Sequence, residues 1–189
     1  MNKPTRRRAD VVYIPPVNNS PVILAHDPSI TAWGWVVIQG TEIKAAGCIK
    51  TSSESKARRI RKGDDRVRRV SEIVQQLHQV IKDHRVTYMV SELPHGSQSA
   101  VAAVMVGICA GVVQTMADIL DIGVEWFSEG DAKQTLVKKR SATKLEIKEA
   151  IAKLYPGNYW TGIGYRDEAI ADSLAVYNVF RKTSPVARL

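Results

Sequence analysis

The chain has 189 residues, 44% of them hydrophobic, which suits one ordinary domain, or one domain with tails, built on a real core. Lys and Arg number 27 against 19 Asp and Glu, a formal charge of +8 with a pI near 9.6, so the surface should attract polyanions, nucleic acid first among them. The N-terminus, MNKPTRRRAD, lacks the apolar core of a secretory signal, and the longest weakly charged stretch, residues 99–114, falls short of the ~20 residues of a membrane span. A soluble, intracellular protein without a membrane role is expected. Cys48 and Cys109 have no metal-ligand spacing and read as buried thiols in a reducing compartment.

Residues 1–20 carry Arg6, Arg7 and Arg8 and then Pro15 and Pro16, and read as a flexible basic arm ahead of one domain spanning residues 21–189. Residues 22–25 form an apolar run of strand length, with Asp27 directly behind it and Pro28 and Ser29 following. A carboxylate leaving a buried strand sits on rigid backbone at the mouth of a sheet, which suits a metal ligand or general base. The alternative is an Asp-Pro turn between hairpin strands. Residues 33–38 and 43–51 are the next two strands, joined through Gly40, and the three make an antiparallel meander.

Between Lys56 and Arg69 stand eight cations: Lys56, Arg58, Arg59, Arg61, Lys62, Arg66, Arg68 and Arg69. Such a density favours phosphate contact over a merely solvated face. Asp64 and Asp65 sit where a helix N-cap is needed. Val67, Val70, Ile73, Val74, Leu77, Val80 and Ile81 then predict an amphipathic helix to about His84. Residues 87–93 form a fourth strand ending on Glu92, with Pro94 behind it. Residues 99–120 form a helix rich in small residues, with Gly107 and Gly111 one turn apart, suited to close packing on a sheet or a partner subunit. Residues 124–127 are a fifth strand. Two short helices, 131–139 and 143–155, follow, the second with a capping box of Thr143 and Glu146. Lys133, Lys138, Lys139, Arg140 and Lys144 make this a second basic region. The last helix, residues 167–181, places Glu168 and Asp172 four apart on one face. This order predicts an α/β fold, a five-stranded mixed sheet flanked by helices.

In such a sheet strands one and four can lie side by side, and the last helix can close over their ends. Asp27, Glu92, Glu168 and Asp172 then converge. Crowded carboxylates repel unless cations bind, and two divalent ions with oxygen ligands, Mg²⁺ by preference, would supply phosphodiester hydrolysis. No small-molecule cofactor is indicated.

Four short motifs then match in order across most of residues 22–180: HDPSITAWGW, with Gly seven residues after the Asp; SEL; KQTLVKKRSATK, with its lysines eleven residues apart; and ADSLA. Together they resemble the RuvC family of Holliday-junction resolvases, in the ribonuclease H-like superfamily, and a phage-type member of it. The resemblance implies a homodimer that cuts four-way junctions and other branched DNA by paired nicks, leaving 5′-phosphate and 3′-hydroxyl ends. It implies a cytoplasmic setting in a bacterial or phage-infected cell. Asp27, Glu92, Glu168 and Asp172 would hold two Mg²⁺ ions, with Mn²⁺ able to substitute. Lys144 would stabilise charge at the phosphate, and Lys133 would grip the DNA backbone, with Lys138, Lys139, Arg140, Lys56, Arg58, Arg59, Arg61, Lys62 and His95 as further DNA contacts.

The chain departs from the family pattern at Ser29, where glycine is usual; at Ala169, where an acid is usual; at Lys138 and Arg140, in a stretch commonly rich in glycine; and at His95, where some members carry an aromatic wedge. For the fourth acid, Glu168 shares the helical phase of Asp172, whereas Asp167 is rotated by about 140° and suits a cap. Two other readings compete: a non-catalytic DNA-binding module of the same fold, and an actin-like or sugar-kinase-type ATPase, which needs two such domains and about twice the length.

Overall fold

The computed structural model describes residues 20–54, 56–57, 59–93 and 99–188. Residues 1–19 of the basic arm, Arg58 and His95 lie outside the described residues. Strands β1 (Val22–Asp27), β2 (Ala32–Gln39) and β3 (Glu42–Lys50) form the expected meander, β1 and β3 each pairing antiparallel with β2. β4 (Tyr88–Leu93) then adds parallel to β1, and β5 (Gly123–Ser128) parallel to β4, giving the order β3-β2-β1-β4-β5.

Side chains alternate between two cores, as a sheet covered on both faces requires. Ile23, Ala25, Val36, Ile38 and Val90 face one cluster. It is completed by α3 (Glu129–Val137), α4 (Lys144–Leu154) and α5 (Gly164–Thr183). Leu24, Trp33, Val37 and Met89 face the other, covered by α1 (Lys62–His84) and α2 (Ala100–Leu120). On α1 the buried Ile73, Leu77 and Ile81 repeat at four-residue intervals, the stripe that the sequence predicts.

Three local details differ from the sequence reading. The N-cap of α1 is Arg61, without a side-chain cap bond, and Asp64 and Asp65 lie inside the first turn. Asp65 is only 2% exposed and accepts bonds from the Glu54 N–H (3.1 Å) and Arg68 (2.8 Å), so it ties the preceding loop to the helix. α3 begins two residues early because Ser128 caps it in a capping box with Asp131. α2 covers the residues predicted for it, but its weakly charged stretch does not stop at Gln114 as expected: Asp118 is its one charged residue, paired with the Gln114 amide at 2.9 Å. Its 21 residues are long and apolar enough, by length and composition, to cross a membrane. The Thr143–Glu146 capping box of α4 forms as predicted.

α5 is the central helix, buried along most of its length. It lies so close to β2 that a Cβ on Gly34 would stand 2.0 Å from the Ala169 carbonyl oxygen and 2.7 Å from the Ser173 hydroxyl. Gly34→Ala should therefore push α5 off the sheet and cost at least the ~1–3 kcal/mol of an overpacked core. Thermal denaturation would register this as a clear drop in melting temperature; an unchanged one would show that α5 yields freely.

Candidate active site

The parallel strands β1, β4 and β5 end at one edge, where α/β sheets hold their ligands. β1 and β4 pair as far as His26 and Ser91, and the next residues on the two strands are Asp27 and Glu92. Both carboxylates fall on the α5 face, in phase with Ala25 and Val90. β5 pairs Phe127 with Glu92 and runs through Ser128 straight into Glu129, the first residue of α3. α5 brings Asp172 over this edge, because Ala169 and Ser173 rest on Gly34, and Gly34 is the register partner of Asp27. α4 contributes its first residue, Lys144, whose Nζ lies 3.7 Å from Asp172 Oδ2.

Asp27, Glu92, Glu129, Lys144 and Asp172 together line a cavity of about 200 Å³. An adjoining smaller recess shares Glu92, Glu129, Lys144 and Asp172 and adds Lys133. Burial, then the charge of Asp172, pushes the Asp27 carboxyl up to about 7, with Lys144 opposing. Burial, then Asp27 and Asp172, pushes Glu92 up to about 8. Asp172 is also raised, by burial first, against the pull of Lys144. Lys144 is held above its usual value by Asp172 foremost. Among the described residues, no three His, Cys, Asp or Glu side chains converge closely enough to hold an ion unaided. The donor set nevertheless fits a hard divalent cation: every acid offers oxygen, and their mutual repulsion is what a cation relieves.

Of the expected site residues, Asp27, Glu92, Asp172 and Lys144 meet at the cavity. Glu168 is exposed and off the lining, although its charge acts on Asp172 and Lys144. Asp167 is buried and accepts bonds from the Thr161 N–H and hydroxyl (both 2.8 Å) and the Gly162 N–H (3.0 Å), anchoring the loop before α5. Lys133 pairs with Glu129 at 2.6 Å. Lys139 pairs with Glu146, and Lys138 forms the left-handed C-cap of α3, with Arg140 exposed beside them. Lys56 and Lys62 line a separate open cavity of about 470 Å³ with Arg66 and Arg69. Arg61 pairs with Asp64, and Arg59 is exposed. Arg68 and Arg69 turn inward: Arg68 to Asp65 and the Ser52 carbonyl, Arg69 to Thr51, Thr31 and the Ile30 carbonyl.

Glu129 is absent from the sequence reading. Its signal lay in SEGD, a capping box that sets it in the first turn behind a strand end. His26, although next to Asp27, points to the opposite face and stacks on Trp33 at 5.7 Å. Burial pushes it down to about 3, so it stays neutral and outside the site.

A family model described as crossover junction endodeoxyribonuclease RuvC matches residues 23–177. No curated protein sequence matches. Among solved structures, T. thermophilus RuvC in complex with a Holliday junction substrate has a TM-score of 0.65 at 21% identity, covering 84% of this chain and 92% of that one. Another Thermus thermophilus RuvC structure gives 0.62 at 20% identity over the same shares. The yeast mitochondrial Holliday junction resolvase gives 0.58 at 11% identity, over 87% of this chain and 79% of that one. These structural likenesses establish a shared fold.

The raised carboxyls carry a stability signature. Between the unfolded carboxyl value near 4 and the folded values near 7 and 8, the folded protein holds protons that the unfolded chain has released. Without divalent ions, stability should therefore fall as pH rises from about 5 to 8. Thermal melts in chelator should show this slope, and Asp27→Asn should flatten it. Equal slopes in the two proteins would show that neither burial nor Asp172 raises the Asp27 carboxyl.

Proposed function

The chain belongs to the RuvC family of crossover junction endodeoxyribonucleases and acts as a junction-cleaving endonuclease, and on that premise we propose that it is Mg²⁺-dependent and nicks four-way and other branched DNA in pairs as a homodimer. The observation that carries the site assignment is the meeting of Asp27, Glu92, Asp172 and Lys144 where three parallel strands end. Asp27, Glu92 and Asp172 are the residues that would hold the metal, with Glu168 exposed one turn before Asp172 and acting on the site through its charge. Two Mg²⁺ ions, or Mn²⁺ in their place, would supply an activated water and a stabilised leaving oxygen. Lys144, beside Asp172, sets a positive charge where the scissile phosphate gains negative charge. Lys133 lines the recess beside the cavity, Lys138, Lys139 and Arg140 follow on the connection from α3 to α4, and all four suit the DNA backbone. Lys56, Lys62 and Arg66 offer a second cationic track, at the start of α1 and the loop before it. Branched DNA as the substrate is supported by the junction bound to the T. thermophilus relative.

The homodimer reading rests on α2. Its inner side buries Cys109, Val113, Met116 and Ala117. Its other side leaves Val101, Val104 and Ile108 exposed, with open space around Gly107 and Gly111. Only 22% of its apolar window is buried within one chain, an unusual exposure for so apolar a helix. A second copy packed on this face would cover it and set two cavities on one junction.

Asp27→Asn should abolish Mg²⁺-dependent nicking of a synthetic four-way junction while a mobility-shift assay still shows binding. Loss of both would assign Asp27 a structural role. Val104→Glu with Ile108→Glu should yield a monomer in sedimentation equilibrium with its melting temperature measured alongside. A species that stays dimeric would place the interface elsewhere.

A further inference from the structure

On α5 the two residues one turn before Asp172 are Glu168, which is exposed and off the cavity, and Ala169, which is buried and has no carboxylate. The helix therefore delivers one acid to the cavity lining, Asp172. The remaining acid of the lining comes from α3. Glu129 follows β5 directly, and its backbone is fixed twice over. β5 is paired with β4 up to Leu93 and Ser128, and the Ser128–Asp131 capping box locks the turn, with the Asp131 N–H donating to Ser128 Oγ at 3.1 Å. This places Glu129 with Glu92 in the lining of both the cavity and the adjoining recess. Its side chain is 45% exposed and is restrained by Lys133, one turn along α3, at 2.6 Å.

We infer that Glu129 is the fourth metal-holding carboxylate of this cavity, in the role that helical phase alone would give to Glu168. The inference rests on the metal-dependent reading of the site. Two further features support it. The charge of Glu129 bears on Asp27, Glu92, Asp172 and Lys144 alike, and at Asp172 it outweighs that of Glu168, although Glu168 outweighs it at Lys144. Lys133 also gives Glu129 a counter-charge while no cation is present. A divalent ion in the cavity would replace that counter-charge and leave the Lys133 ammonium for a DNA phosphate.

The test is Mn²⁺ binding to the full chain without DNA, read by the electron paramagnetic resonance signal of free Mn²⁺ and by calorimetry. Glu129→Gln should weaken binding by roughly tenfold or more, and Glu129→Asp, which keeps the charge but shortens the reach, by about threefold or more. Glu168→Gln should weaken it by less than about threefold, since that side chain is exposed, off the lining, and acts through its charge alone. Asp27→Asn is the control for the cavity itself and should remove most of the binding. If Asp27→Asn binds Mn²⁺ like the unaltered chain, the metal reading of the cavity fails, and this inference with it. If Asp27→Asn loses binding but Glu129→Gln keeps it, the cavity stands and Glu129 is not a ligand. Full affinity in Glu129→Asp beside a loss in Glu129→Gln would leave Glu129 acting through charge alone and also overturn ligation.

Discussion

The contact between Gly34 and the α5 backbone is the constraint on which the rest of the structure depends. Gly34 stands opposite Asp27 in the β1–β2 ladder, so whatever rests on it is automatically placed beside that carboxylate. With no side chain there, the Ala169 carbonyl settles onto the strand, and Asp172 comes down over the strand ends. A methyl group at Gly34 would move the helix away from the sheet and the helical acid away from the strand acids together. The same approach buries α5 along most of its length and makes it the spine of one core. Packing and site geometry are thus set by one missing side chain.

Bringing acids together in this way has an electrostatic cost. Burial and mutual repulsion push Asp27 and Glu92 toward or beyond neutrality, and Lys144 offsets only part of it. The fold tolerates the conflict because the strand ends and the caps of α3 and α4 are stiff. Thr143 and Glu146 fix the helix start that carries Lys144, as Ser128 and Asp131 fix the one that carries Glu129. The site is thereby arranged for positive charge to arrive from outside, which follows from the donor chemistry of its lining.

The basic character of the chain divides into two physical uses. Arg68 and Arg69 satisfy the buried Asp65 and the carbonyls of the loops behind β1 and β3, and so act as internal struts. Lys56, Lys62 and Arg66 line an open cavity and remain available to an anionic partner. A count of cations in this segment therefore overstates the charge offered to DNA. α2 has the same double character in apolar terms, one side in the core and the other exposed.

The amino-acid sequence by itself determined the elements and much of the chemistry. Short apolar runs separated by turn residues specify the three-stranded meander, the four-residue spacing on α1 specifies an amphipathic helix, and Thr143 with Glu146 marks the start of α4, because these are local effects of backbone geometry. Asp27 and Glu92 were legible as strand-end carboxylates for the same reason. Tertiary structure alone decided what depends on depth and on neighbours distant in sequence. Helical phase put Glu168 on the side of Asp172, but phase does not report how far a side chain lies from the sheet, and Glu168 ends outside the cavity lining. Glu129 joined the lining because β5 pairs alongside β4, a neighbour relation that no local pattern encodes. Asp65 reads as a helix cap, yet it is buried against Arg68 and a loop N–H, because the chain behind β3 folds back over the start of α1. Local propensity names the candidate side chains; strand order and helix approach decide which of them share one low-dielectric space, and only there do their charges act on each other.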